Sequence, residues 1–128
     1  MGLAMSDSDA TSRLVSLVKS MLAATLADRL QWETTDAQGT FLVARPQGSA
    51  TIRSVDGDGN APFEFSILAQ DGEVIERLKE DRHLEAPWDE DLSNLYDAAR
   101  RSAYDIDSTI DKWVNDISNL ERGDEPPF

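Results

Sequence analysis

The chain has 128 residues, 40% of them hydrophobic, and its 12 basic residues against 25 acidic ones leave a formal net charge of −13. That length supports one hydrophobic core and reads as a single domain over residues 1–128. The charge argues against nucleic acid or an anionic membrane as a partner, since both are held by clustered lysine and arginine, and the absence of cysteine excludes disulfides, thiolate chemistry and cysteine-held zinc.

The acid is unevenly spread: residues 1–64 carry 8 acids and 5 bases, residues 65–128 carry 17 and 7. A surface of this kind commonly serves solubility. Neither a leader-like opening nor a run of about 20 apolar residues is present, so a cytoplasmic location is expected. Met5-Ser6-Asp7 reads as a natural start, with residues 1–8 and 122–128 expected to be flexible.

From Asp9 onward, Leu14, Leu17, Val18, Met21, Leu22, Thr25, Leu26 and Leu30 recur at spacings of three and four, the pattern of a helix with a wide apolar face. The spacing predicts a helix over 10–30, capped by Ser8, Asp9 or Thr11, with Trp32 at its exit.

Between residues 40 and 79 the period falls to two, in short runs punctuated by turn residues. This predicts a four-stranded antiparallel meander of Thr40–Arg45, Ala50–Val55, Phe63–Ala69 and Glu73–Leu78. Phe41, Val43, Ile52, Phe65 and Ile67 would line its covered face, and Arg53, Glu64 and Glu76 the other. Asp71-Gly72 is the strongest hairpin signal, because both residue types tolerate positive φ.

Acids at Asp89, Glu90 and Asp91 suit the start of a helix, where the backbone dipole favours negative charge. From there Leu92, Tyr96, Ala99, Ala103, Ile106, Ile110, Trp113, Ile117 and Leu120 advance by alternating steps of four and three, which keeps one apolar seam in line. An unbroken helix over 89–121 would be about 48 Å long, against a radius of gyration of about 14 Å for a compact domain of this size. Asp105, Asp107, Ser108 and Thr109 are poor interior residues and good caps, so the segment is either one long helix or two helices kinked between Tyr104 and Thr109. The fold class expected is therefore α+β: an N-terminal helix, a four-stranded meander and a long or kinked C-terminal helical segment.

Candidate chemistry is thin. Asp56-Gly57-Asp58-Gly59-Asn60 begins like a calcium loop, but Ala61 stands where the turn glycine belongs and Ile67 where the bidentate acid belongs. His83 is the lone histidine, too few for a triad or a histidine-held metal. Acid pairs such as Glu80 with Asp81, or Asp89 with Asp91, lack the apolar walls that acid–base work requires, and Ser93 and Ser102 read as helix decoration. No catalytic residue, metal, cofactor or small-molecule substrate is expected, and the chain is read as not an enzyme.

The stretch Leu95-Tyr96-Asp97-Ala98-Ala99-Arg100-Arg101-Ser102-Ala103, followed by Asp105-Ile106-Asp107, resembles a poorly characterised small bacterial domain found alone and as an accessory module of larger proteins, some linked to conflict and signalling systems. The resemblance extends to the N-terminal helix before Trp32 and the turn at Asp71-Gly72, and it implies an interaction module. In outline the chain is also similar to the small acidic dimeric chaperones of bacterial secretion, from whose interrupted strand order its four consecutive strands depart.

Together these readings lead to a non-enzymatic adaptor that forms a homodimer through Tyr96, Ala99, Ala103, Ile106, Ile110, Trp113 and Ile117. The alternative is a secretion-chaperone-like or antitoxin-like protein that binds an extended segment of a partner protein.

Overall fold

The computed structural model describes residues 2–80 and 85–121, and residues 2–9 by their backbone alone. The expectations for His83, for Asp81 and for a flexible 122–128 fall outside the described residues.

Helix α1 spans Gly2–Leu26, so it starts well before residue 10 and takes in most of the stretch expected to be flexible. It also stops four residues short of Leu30. Asp28 is the reason: it adopts φ 63°, its N–H donates to the Thr25 carbonyl at 3.1 Å, and the Arg29 N–H reaches the Ala24 carbonyl at 2.9 Å. These are the paired bonds of a helix end closed by one left-handed residue, a position that aspartate tolerates better than most side chains.

Five strands follow, β1 (Glu33–Thr34), β2 (Thr40–Arg45), β3 (Gly48–Ser54), β4 (Phe63–Leu68) and β5 (Val74–Lys79), in the sheet order β1-β2-β3-β4-β5 with every pair antiparallel. The meander thus has one strand more than expected, since β1 is two exposed polar residues with no apolar period to betray it. In the Asp71-Gly72 hairpin only Gly72 has positive φ, at 89°, while the Asp71 carboxylate accepts the Glu73 N–H at 2.9 Å. Gly48 cannot carry a side chain, because a Cβ there would lie 2.2 Å from the Leu68 carbonyl oxygen on β4.

One face of the sheet carries the row Phe41, Ile52, Phe65 and Leu78 and the row Val43, Ala50, Ile67 and Glu76. Glu76 therefore lies on the same side as Ile67 and not, as expected, on the side of Arg53 and Glu64. The register becomes irregular only beyond this pair, between Ile67 and Leu68. On the other face Glu64 is buried where the Arg53 Nε–H donates to its Oε1 at 3.0 Å.

The C-terminal segment is two helices, α2 (Asp89–Ala103) and α3 (Ile106–Glu121). Asp105 separates them with φ 50°. Its N–H donates to the Ser102 carbonyl, closing α2, and its own carbonyl accepts the Thr109 N–H at 3.0 Å, opening α3. Arg101 spans the joint, 3.4 Å from Asp97 and 3.7 Å from Asp107.

Helices α1 and α2 lie side by side on the Phe65 face. Leu14 and Val18 of α1 and Leu92, Leu95, Tyr96 and Ala99 of α2 join Phe41, Ile52, Phe63 and Phe65 in one apolar cluster. Tyr96 stacks on Phe63 with ring centroids 4.6 Å apart and tilts against Phe41 at 5.4 Å. Trp32 ties the helix ends together, its ring N–H donating to Thr25 Oγ1 at 3.0 Å and its backbone N–H to Ser102 Oγ at 2.9 Å. Ser102 is thus a tertiary hydrogen-bond acceptor rather than decoration. Among the described residues no helix is long and apolar enough to cross a membrane.

Candidate functional site

Helix α3 is the unusual element. Its main packing is against α2, and none of its residues is buried. Ile110 is 52% exposed, Trp113 66%, Val114 55%, Ile117 44% and Leu120 40%. At 100° per residue all five fall on one side. Asp116 borders that stripe on one flank and Asp107 and Asp111 on the other, while Lys112 stands on the back. A helix of this length has little stability of its own in water, and its apolar face ordinarily finds a cover.

The seam read from the sequence is therefore divided by the fold. Tyr96 and Ala99 are buried in the chain's own core and have no surface left to offer a partner. Ala103 packs half-buried against that core, and Ile106 is half-buried at the start of α3. Ile110, Trp113 and Ile117 remain exposed, joined by Val114 and Leu120. Periodicity marked all of these positions as apolar, and the turn at Asp105 decided which of them the sheet could reach.

The three tryptophans separate in the same way: Trp32 is 3% exposed, Trp88 is half-buried with its ring N–H on the Lys79 carbonyl at 3.3 Å, and Trp113 is open to solvent.

In the loop that begins like a calcium site, the Asp58 carboxylate is turned to the loop itself. Its Oδ1 lies 3.0 Å from the Asn60 N–H, which donates to it, and 3.0 Å from the Ser54 hydroxyl. These hydrogen bonds hold its carboxyl below the ordinary value, the Asn60 amide contributing most. Among the described residues no three His, Cys, Asp or Glu side chains stand as a metal would need them.

Glu80, at the end of β5, stands near another acid, Asp89. Burial, and after it the charge of Asp89 at the start of α2, push its carboxyl above the ordinary value of 4.5. Asp89 itself accepts the Ala86 N–H through Oδ2 at 3.0 Å, while its buried Oδ1 has no hydrogen bond among the described residues. Because the folded chain favours the protonated form of Glu80, that contribution to stability is present below pH 4.5 and is lost as pH rises through the raised folded value. Glu80→Gln should consequently stabilise the chain near pH 7, by about 0.5 kcal/mol or less because solvent screens a half-buried group. The gain should vanish in acid. Urea denaturation of both proteins at neutral pH and at pH near 4 checks this, and an equal gain at both would contradict the assignment to charge.

Compared with known proteins, the chain matches no family model, no curated protein and no solved structure. Of the resemblances drawn from its sequence, what stands is the architecture: a small α+β fold of helices on a five-stranded antiparallel sheet.

Proposed function

We propose that the chain is a non-enzymatic protein-interaction module that self-associates through the apolar face of α3. The observation that carries the reading is that α3 buries none of its residues while holding Ile110, Trp113, Val114, Ile117 and Leu120 on one side. Full burial of such a side chain is worth about 1.5–3 kcal/mol, so several of them left in water favour association. An aromatic at the middle of the stripe, Trp113, is the residue type that most often anchors a protein contact.

The test is the mass in solution. Light scattering and sedimentation over a range of concentrations should show a dimer, with Trp113 fluorescence moving to shorter wavelength as it forms. Ile110→Asp should return the chain to a monomer without altering the unfolding of the α1–α2–sheet body, to which α3 adds no buried residue. A wild-type monomer at tens of micromolar, or a dimer indifferent to Ile110→Asp, would sink the reading.

A further inference from the structure

At the end of the sheet formed by the β2–β3 and β4–β5 hairpins, a groove of about 550 Å³ runs between α1 and the strands. Leu17 and Met21 form its helical wall, and Val43, Ala50 and Ile67 lie on the strand side. By helical spacing this is the flank of α1 opposite the one bearing the exposed Leu26. Arg29 and Arg45 also line it, and no acid does. In a chain of 25 acids and 12 bases, an apolar groove furnished with two guanidiniums and no carboxylate is a local reversal of the overall charge. Neither arginine has a carboxylate partner among the described residues.

Helix α3 is its complement: an apolar stripe from Ile110 to Leu120, about 15 Å long at 1.5 Å per residue, with aspartates on both flanks. No residue of α3 lines the groove of its own chain, so each copy carries an uncovered stripe and an unfilled groove. We propose that α3 of one copy lies in the α1–sheet groove of a second copy, its flanking aspartates facing Arg29 and Arg45, and that the exchange is reciprocal. This rests on the reading of α3 as the self-association surface and names what that surface docks against.

Charge selects this contact over the simpler pairing of α3 with α3. That pairing would bring Asp111, Asp116 and Glu121 of one helix against the same residues of the other, with Lys112 on the far side of each. Like charges set together at an interface oppose association, whereas a negative flank on a positive rim favours it. Reciprocal exchange also covers both apolar surfaces with one kind of contact repeated about a two-fold axis.

The absence of cysteine makes the test direct. Ser20→Cys marks the groove wall and Val114→Cys marks the stripe, and neither removes a core residue. With a short bismaleimide linker, an equal mixture of the two variants should give a dimer cross-linked from the groove wall of one copy to the stripe of the other, identified by peptide mass, and the Val114→Cys variant alone should give far less. Arg29→Glu with Arg45→Glu should weaken dimerisation by about tenfold or more, most strongly at low salt. Efficient cross-linking of Val114→Cys to itself, or a dimer unaffected by the two arginine substitutions, overturns the groove as the docking site while leaving self-association through α3 standing. A monomeric wild type overturns both.

Discussion

Replacing Phe65 by alanine is expected to remove about 3–5 kcal/mol of folding stability, a large part of the roughly 5–15 kcal/mol that holds a domain of this kind together. Phe65 is fully buried on the central row of the sheet, paired across the strands with Ile52 on one side and Leu78 on the other, with helices lying over the same face. Removing its ring loses the transfer energy of the largest fully buried side chain in the core and opens a space that neighbours anchored on paired strands cannot collapse to fill. Urea unfolding followed by circular dichroism measures the change. A loss below about 1 kcal/mol would mean that the helices are not seated on this face as described.

The second large effect is a contrast within a single sequence pattern. Tyr96→Ala should cost about 3–5 kcal/mol, because the ring is 5% exposed and contacts both Phe63 and Phe41. Trp113→Ala should alter the stability of the monomeric chain by no more than about 0.5 kcal/mol, although tryptophan is the larger residue and stands on the same heptad seam. Denaturation carried out dilute enough to exclude association compares the two, and similar costs would show that α3 is packed after all. Burial separates them further: it pushes the Tyr96 hydroxyl above its ordinary value of 10.0, with Arg100 pulling the other way.

That contrast shows which links were legible in the sequence. Alternation identified Phe41, Val43, Ile52, Phe65 and Ile67 as one face, since a strand's period of two admits no other solution once the face is buried. The three- and four-residue spacing identified Leu14, Val18 and Thr25 as the buried side of α1, although Leu26, which it placed with them, is 72% exposed. Handedness at single residues was not legible. Asp28 and Asp105 both end helices by taking positive φ; the cap-rich run of Asp105, Asp107, Ser108 and Thr109 marked the second as a place where the segment could break, as it does, but nothing set Asp28 apart from Asp97 or Asp111, which sit within helices. One such residue shortened α1, and the other detached α3 from the sheet and turned half of an apparently uniform seam outward. Strand β1 was hidden for a different reason: Glu33 and Thr34 are held by backbone pairing to Leu42 and Phe41 and bury nothing themselves. The groove was hidden too, because Arg29, Arg45 and the apolar residues beside them come from separate elements that only the fold assembles.

Strand β5 closes the sheet on one side, and Glu76 on it points the way Ile67 does. Any further strand laid along that margin would have to bring its own apolar row up to a carboxylate, which is how natural sheets keep from growing edge to edge. Addition of copies strand by strand along that margin is thereby discouraged at its first step.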